Sequence, residues 1–375
     1  MEKKNDLTVA PEKRQLPSEC TTIIVGEKQS EDGARYLCRS SDFDAMLTTH
    51  VEVHEDTQHG PKEFIAKDSK FRCPLPEAAL GYTALPDYRY PGEWGSAGFN
   101  TAGVGMSSTE TIFSSETALS FDPYVENGLA ENCTYNIVLP YIHTAREGVE
   151  RLGMLIEKYG SAEGFGIGFI DNKETWYLEN ACGHRWLACR MPKDQYFVTG
   201  NQSRFRDYDP NDKDNFLAAA DLIEFATEHG LYNPEDCGKE KGKDGKAKFD
   251  FHKAYSRDEK LDTTYNYPRV WGLQQMFSPA IQNDVARNTF PVFARAAHKI
   301  SLTFARRSVT TTTLPTTTLI CMRMARSLIV RSASTAPPRP TSSRYARSCR
   351  KPSAASPTWL SAWATSASSS RSTKA

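Results

Sequence analysis

The chain has 375 residues, of which 39% are hydrophobic and 25% are charged, and its formal net charge is zero. These values describe a globular chain that is long enough to bury a large core, either as one big domain or as two. No apolar run reaches the roughly 18 residues of a membrane-spanning helix. Residues 1–19 are charged and lack the apolar segment of a secretory signal, so neither a membrane location nor export by that route is predicted.

Cysteine usage indicates a reducing compartment. The nine cysteines are odd in number, include no C-x-x-C pair and are too sparse for a disulfide scaffold. Cys182-Gly-His184 and Cys189 could supply soft metal ligands, but their spacing fits no zinc pattern. We therefore predict a reduced, cytoplasmic protein without a structural zinc.

The net charge of zero conceals two regions of different composition. Residues 285–375 contain 15 Lys and Arg and no Asp or Glu, whereas the residues before them contain 31 Lys and Arg and 46 Asp and Glu. The two regions thus carry formal charges of +15 and −15, and Gly272 is the last glycine of the chain. Compositions this different indicate that the two regions do not form one domain.

Apolar spacing and turn residues predict a mixture of strands and helices before the basic region. The predicted strands are 20–25, 35–39, 103–106, 166–170, 175–179, 185–190 and 196–199, and the predicted helices are 141–159 and 215–229. The Lys- and Gly-rich stretch 238–248 is predicted to be an exposed loop. A nucleic-acid patch is the alternative there, but acidic residues dilute it and no aromatic residues interleave, so no nucleic-acid partner is predicted.

From about Thr303 the sequence is rich in Ser, Thr, Ala, Arg and Pro and sustains no helical or strand period. One interpretation is a disordered basic tail. We favour the hypothesis that residues 303–375 are translated in the wrong frame and are not native. Codons for Thr310–Arg326 can be chosen so that a neighbouring frame encodes His-Tyr-Asn-Asn-Thr-Pro-Tyr-Asp and then His-Ala-Asp-Gly-Glu, which resembles the composition of the rest of the chain. A gene sequence whose neighbouring frame does not encode these two peptides would contradict the hypothesis.

Cys20 opens a β-rich segment after a short polar leader. A cysteine nucleophile needs a base or a lowered pKa, and none of the eight histidines stands out as its partner. If the bond before Cys20 is cleaved, its own α-amine can be the base, because such an amine has a pKa of about 7.7–8.0 and is held beside the thiol. A cysteine at the start of a strand is also common as a small buried hydrophobe. The inference therefore depends on the residues that follow.

Several motifs occur in a fixed order between Cys20 and Trp271, within the globular stretch 20–302. They are Cys20-Thr-Thr-Ile-Ile-Val-Gly26, Asp32-Gly33, Arg39-Ser-Ser-Asp42, Pro91–Glu110 (PGEWGSAGFNTAGVGMSSTE), Tyr124, Leu139–Gly148 (LPYIHTAREG), Gly200-Asn201-Gln202 and Tyr267–Trp271. The series resembles the cysteine dipeptidases of the dipeptidase A and D type, which are relatives of the bile-salt hydrolases and penicillin V acylases. One short motif would be ordinary chance, whereas the ordered series is specific.

The resemblance implies a role for each of five residues. Cys20 would be the nucleophile and, through its amine, the general base. Arg39 would favour the thiolate, and Asp42 would hold the α-amine by a charge-assisted hydrogen bond. Asn201 would donate its side-chain amide to the oxyanion, and Arg269 would support the site electrostatically.

Each of these roles has a simpler alternative. Arg39 and Asp42 could form a surface ion pair, Asn201 could be a turn residue after a strand, and Arg269 could belong to a structural salt bridge. The chain also departs from the family pattern Arg-Asn-Asp-Asp, because Ser40 and Ser41 replace the middle pair. The family continues with ordered sequence beyond residue 302, so the catalytic domain is predicted to be incomplete at its C-terminus.

The fold that the resemblance implies is α+β, the four-layer αββα sandwich of the N-terminal-nucleophile hydrolases. Residues 1–19 would be a leader removed on maturation, and residues 20–302 would hydrolyse dipeptides or other short peptides without a metal or cofactor. The alternatives are an acylase for non-peptide amides and a non-enzymatic binding protein on the same fold. A peptide substrate is the partner implied; nucleic acid and membrane are not, and a homo-oligomer remains open.

Overall fold

The computed structural model describes residues 19–42, 50–67, 69–86, 95–234, 249–301 and 318–324. All of them belong to the first of two compact units, Met1–Arg326, and the second unit, Ser327–Ala375, lies outside the described residues. The predicted loop 238–248 and most of the region 303–375 also lie outside them. None of the helices in the described ranges combines the length and apolarity needed to span a lipid bilayer.

Two antiparallel sheets form the centre of the first unit; elements are numbered in chain order. The first sheet contains, from edge to edge, β14 (Phe293–Ala294), β12 (Tyr196–Thr199), β1 (Glu19–Val25), β2 (Arg35–Asp42) and β15 (Thr318–Met324). The second sheet contains β13 (Phe216–Ala218), β11 (Trp186–Arg190), β10 (Thr175–Asn180), β9 (Phe165–Ile170), β8 (Gly105–Thr111) and β7 (Ala97–Phe99). Two small ribbons pair β3 (Glu52–His54) with β6 (Tyr82–Ala84) and β4 (Glu63–Ile65) with β5 (Arg72–Pro74).

Helices occupy the stretches between and after these strands. They are α1 (Glu116–Phe121), α2 (Glu131–Val138), α3 (Ala145–Tyr159), α4 (Leu222–Glu228), α5 (Phe251–Tyr255), α6 (Asp262–Tyr265) and α7 (Tyr267–Phe277), with a 3-10 helix at Leu139–Tyr141. The longest of them, α3, is amphipathic and buries one face, as expected for a helix that covers a sheet.

One face of the first sheet packs on α7. Ile23 of β1 and Val198 of β12 lie in one buried cluster with Val270 and Leu273 of α7. Residues of a strand alternate between its two faces, so Ile24 of β1 points away from this cluster, towards the other side of the sheet.

The opposite face of the first sheet packs on the second sheet, which is covered in turn by α3. The ring centroids of Phe197 in β12 and Tyr177 in β10 are 5.2 Å apart. On the far side of the second sheet, a Cβ atom on Gly153 of α3 would stand 2.1 Å from a ring atom of Trp186, so the glycine lets helix and sheet approach closely. The order of layers is helix, sheet, sheet, helix. The predicted α+β class is therefore confirmed.

The helix predicted at 141–159 forms, but it begins at Ala145. The Thr144 side chain caps it by accepting a hydrogen bond from the Glu147 amide, and of the predicted residues before this cap only Tyr141 is helical, as the last residue of the 3-10 helix. Gly160 ends the helix with a φ of 70°, a left-handed conformation that glycine adopts without steric cost.

The helix predicted at 215–229 is wrong in its first half. Phe216–Ala218 forms β13, which pairs with β11 at the edge of the second sheet, and the helix α4 starts only at Leu222. Pairing with an exposed strand edge outweighs the helical spacing of this segment, because tertiary contacts routinely override local propensity.

The part of the tail that the structure describes forms a strand that the sequence did not predict. Thr318–Met324 forms β15, which pairs antiparallel with β2 and places the backbone of Cys321 opposite Cys38. Cys38 is disulfide-bonded, so the predicted reduced state is wrong at this residue. The described cysteines that form no disulfide are Cys20, Cys73, Cys133, Cys182 and Cys189.

Candidate active site

Cys20 and Arg39 lie on the same face of the β1–β2 pair. Arg39 is the register partner of Thr22, and residues two apart on a strand share a face. Both side chains are buried, and Nη1 of Arg39 donates to Sγ of Cys20 over 3.5 Å. Nε of Arg39 has no hydrogen-bond partner in the described part of the chain. A buried cation fixed at this distance favours the thiolate form of the sulfur.

The predicted pair of Arg39 and Asp42 is only partly described. The backbone of Asp42 ends β2 opposite Glu19, and its side chain lies outside the described residues. Its contact with the amine of Cys20 therefore stays a prediction. Ser40 accepts a hydrogen bond from the Thr21 amide over 3.0 Å and so ties β1 to β2 through its side chain.

Asn201 follows β12 and reaches the start of β1. Its Oδ1 atom accepts hydrogen bonds from the Cys20 amide at 3.4 Å, from the Tyr265 hydroxyl at 3.2 Å and from Nη2 of Arg269 at 2.9 Å. Because all three groups donate, the oxygen of the carboxamide must face them. The nitrogen Nδ2, the donor expected for an oxyanion, is therefore at the other end of the carboxamide.

Arg269 lies in α7 and connects Cys20 with the Asn201 loop. Its Nη1 atom donates to the carbonyl oxygen of Cys20 over 2.6 Å, and its Nε atom donates to the carbonyl oxygen of Tyr265 over 2.8 Å. Nη2 donates to Asn266 over 2.6 Å as well as to Asn201. No carboxylate contacts this guanidinium in the ranges that the structure describes, so it forms no salt bridge there.

Gly200 makes this close approach possible. A Cβ atom at this position would stand 2.9 Å from Cζ of Arg269 and 3.0 Å from Oδ1 of Asn266. Any side chain here would push the guanidinium away from Asn201. The glycine in the Gly200-Asn201-Gln202 motif thus has a steric reason.

Two residues around Arg269 belong to the site although the sequence did not single them out. Asn266 is fully buried and donates from Nδ2 to the carbonyl oxygen of Asn201 at 3.2 Å and to Asp262 at 2.6 Å. Tyr265 contacts Asn201 through its hydroxyl. The only signal in the sequence was their proximity to Tyr267–Trp271, because short polar residues between two helices usually indicate a loop.

A second polar cluster contacts the Asn201 loop from α5. The ring of His252 is buried, and its Nδ1 atom donates to the carbonyl oxygen of Ser203 over 2.7 Å. Its Nε2 atom lies 3.4 Å from Oδ2 of Asp258, and Oδ1 of the same carboxylate accepts a hydrogen bond from the Tyr267 hydroxyl. The hydrogen bond with His252 is the largest cause that lowers the pKa of Asp258, to about 2.

The cysteine and histidine considered as metal ligands are occupied otherwise. Nδ1 of His184 lies 2.8 Å from Oδ1 of Asp122, and burial raises the pKa of the Cys182 thiol far above its usual range. Within the described ranges, no three His, Cys, Asp or Glu residues form a group that could hold a metal ion.

Comparison with known proteins identifies the family. Residues 19–307 match the family described as "Peptidase family C69". The chain is 45% identical over 293 residues to a "Probable dipeptidase" of Salmonella dublin, which covers 77% of this chain and 65% of that protein. It is 34% identical over 292 residues to "Dipeptidase A" of Lactobacillus helveticus, which covers 76% of this chain and 59% of that protein. The chain belongs to peptidase family C69.

The chain spans about two thirds or less of the length of these curated relatives. Among solved structures, it is similar to penicillin V acylase from Agrobacterium tumefaciens, with 16% identity, a TM-score of 0.28 and coverage of 43% of this chain and 46% of that chain. It is also similar to a conjugated bile acid hydrolase from Clostridium perfringens, with 10% identity, a TM-score of 0.28 and coverage of 57% and 59%.

Proposed function

We propose that this chain is a dipeptidase that uses Cys20 as an N-terminal nucleophile. The observation that carries the proposal is the meeting of Arg39, Asn201 and Arg269 on different atoms of Cys20, namely Sγ, the amide nitrogen and the carbonyl oxygen. Polar groups from three distant parts of the sequence converge on one buried cysteine, which is unusual for a cysteine that only fills space. Membership of a peptidase family and the names of the relatives support peptide substrates.

Maturation would remove residues 1–19. In the uncut chain Cys20 carries an amide, and this amide already donates to Oδ1 of Asn201. Attack of Sγ on the carbonyl carbon of Glu19 would form a thioester and release the Cys20 amine, and water would then hydrolyse the thioester. The new α-amine would remain beside Asn201 and, as the resemblance implies, beside Asp42.

The mature site would then cleave a peptide in two steps. The α-amine takes the proton of the thiol, and the thiolate, favoured by Arg39, attacks the substrate carbonyl. Nδ2 of Asn201 donates to the resulting oxyanion, and the amine passes its proton to the leaving amine. Water hydrolyses the acyl-enzyme with the α-amine as base. Arg269 keeps Cys20 and Asn201 at a fixed distance throughout.

The decisive experiment combines intact mass, N-terminal sequencing and a hydrolysis assay. Wild type should begin at Cys20 and hydrolyse dipeptides, whereas Cys20→Ala should remain uncut and inactive. Cys133→Ala is the matched control, because Cys133 is also a buried cysteine without a disulfide but lies in α2. This control should mature and hydrolyse dipeptides as wild type does.

The substrate panel separates the alternatives. It should contain dipeptides, a conjugated bile salt and penicillin V. Hydrolysis of only the bile salt or penicillin V by the matured protein would replace the dipeptidase proposal with an acylase. An uncut chain without any thiol-dependent hydrolysis would favour a binding protein on the same fold.

A further inference from the structure

We propose that Glu179 is a positioning residue for Asn201, because its buried carboxylate holds the turn that follows Asn201 in the chain. This inference rests on the proposed function, in which Asn201 stabilises the oxyanion. Glu179 lies in β10 of the second sheet, whereas Asn201 follows β12 of the first sheet. The carboxylate therefore links a strand of one sheet to a site loop that extends from the other.

Three consecutive residues of the loop donate hydrogen bonds to this carboxylate. The Ser203 hydroxyl donates to Oε2 at 2.5 Å, the Arg204 amide donates to Oε1 at 2.9 Å, and the Phe205 amide donates to Oε2 at 3.2 Å. Glu179 itself is 0% exposed. A carboxylate accepts at both oxygens, so only the ionised side chain satisfies all three donors at once. A glutamine would place an N–H group where one of these donors points.

The turn is also held from a second direction. His252 donates from Nδ1 to the carbonyl oxygen of Ser203, as described above, so Ser203 is fixed at both its hydroxyl and its carbonyl. Asn201 precedes Ser203 by two residues, and its own backbone carbonyl is bound by Asn266. A shift of the turn would therefore move the Asn201 carboxamide relative to Cys20.

Two opposing effects set the pKa of Glu179. Burial raises the pKa of Glu179 to about 7, although the hydrogen bonds from the loop and the nearby Arg204 guanidinium favour its ionised form. Cys189 on β11 also faces the carboxylate, but burial raises the pKa of that thiol so far that it stays uncharged. His252 contacts the turn through Ser203. Protonation of Glu179 in mild acid would remove an acceptor and loosen the turn.

The test uses the full chain and two variants of buried acids. Glu179→Gln should lower kcat by about 10- to 100-fold with little change in KM, because misplacing a group that acts in the transition state costs rate rather than binding. Asp171→Asn is the matched control: Asp171 is a buried acid in the turn before β10 and accepts hydrogen bonds from the amides of Ala145, Lys173 and Glu174. The control should keep its kcat.

Amide hydrogen exchange measures the link itself. Protection of the Arg204 and Phe205 amides should fall about tenfold in Glu179→Gln and not in Asp171→Asn, since about 1.4 kcal/mol of hydrogen bonding corresponds to a factor of ten. In wild type, the protection of these two amides, corrected for intrinsic exchange, should decrease below about pH 7. An α-amine such as that of mature Cys20 titrates in a similar range and would affect kcat. The pH dependence is therefore tested by amide hydrogen exchange and not by kcat.

The outcomes are distinguishable. A folded Glu179→Gln variant with wild-type protection and wild-type kcat would overturn the inference. If that variant does not fold, Ser203→Ala decides: reduced protection of Arg204 and Phe205 with a lower kcat supports the inference, and wild-type values of both overturn it. A matured wild type that hydrolyses nothing in the panel would refute the proposed function. The amide hydrogen exchange of Arg204 and Phe205 would still test whether Glu179 holds the loop.

Discussion

The guanidinium of Arg269 bridges Cys20 and Asn201: Nη1 lies 2.6 Å from the carbonyl oxygen of Cys20, and Nη2 lies 2.9 Å from Oδ1 of Asn201. The guanidinium is planar and its donors have fixed directions. Its geometry therefore sets the separation between the proposed nucleophile and the proposed oxyanion donor. A single charged atom could not hold both positions.

Arg269→Lys should accordingly lower kcat by about 10- to 100-fold although the positive charge is kept, because one ammonium cannot replace the two-sided contact. The measurement is steady-state hydrolysis of a dipeptide beside the mass of the mature chain. Arg287→Lys serves as control, since Arg287 is exposed and pairs only with Asp284 among the described residues. Equal activity of Arg269→Lys and wild type would show that charge alone suffices.

Removing the amide of Asn201 should be more damaging. Asn201→Ala deletes the proposed oxyanion donor, and the loss of one such donor costs about 3 kcal/mol, or about 100-fold in kcat. Asn215→Ala is a suitable control because Asn215 contacts Arg190 and Asp212 instead. The expected pattern is a low kcat with a folded, matured chain. A kcat within a few-fold of wild type would assign Asn201 a structural role only.

The contact between Arg39 and the sulfur predicts a difference in thiol reactivity. Arg39→Gln removes the cation 3.5 Å from Sγ, so less of Cys20 is thiolate at neutral pH. Alkylation of the mature protein by iodoacetamide near pH 7 should slow by about tenfold or more. Cys20→Ala corrects for labelling of the other cysteines. An unchanged alkylation rate would mean that Arg39 does not act on the thiolate.

The cluster around Asp258 predicts how stability depends on acid. The pKa of Asp258 is lowered to about 2, so its ionised form stabilises the folded chain above its unfolded value of 3.8, and this stabilisation is lost as the pH falls through about 2. The side chain is 45% exposed, and solvent screening limits the contribution to about 1 kcal/mol or less.

Urea unfolding of wild type and Asp258→Asn measures this contribution. The difference between their free energies of unfolding should shrink as the pH is lowered from about 5 through about 2, because below its folded-state pKa Asp258 is protonated and, like asparagine, uncharged. Asp284→Asn, at an exposed ion pair, provides the comparison. A difference that stays constant over this range would contradict the assignment.

Seven of the fifteen strands in the described ranges were predicted from the sequence, because these seven have local signatures. Cys20–Val25 and Tyr196–Thr199 are short runs rich in β-branched and aromatic residues, and both form strands of the first sheet. The edge strand Phe216–Ala218 escaped prediction because only its pairing with β11, which is distant in sequence, distinguishes it from the start of a helix.

The parts of the site that escaped prediction act over long sequence separations. Glu179 stood in the sequence as one charged residue in an apolar strand, and a buried charge of this kind is itself a signal that a partner must exist. The partner, the turn at Ser203, could not be identified without the fold. Asn266 likewise acquires its role only when α7 places it against the Asn201 loop.

The separations within the site also constrain when it can form during synthesis. Cys20 and Arg269 are 249 residues apart, and Cys20 and Asn201 are 181 apart. Contacts this distant in sequence form late, after loop closure has been completed elsewhere. When only the first two hundred residues have been translated, Asn201 and Arg269 are still absent, so the proposed site around Cys20 cannot yet form. If the Cys20 thiol cuts the leader, removal of the leader indicates that the chain has completed folding, and not only that it has been translated.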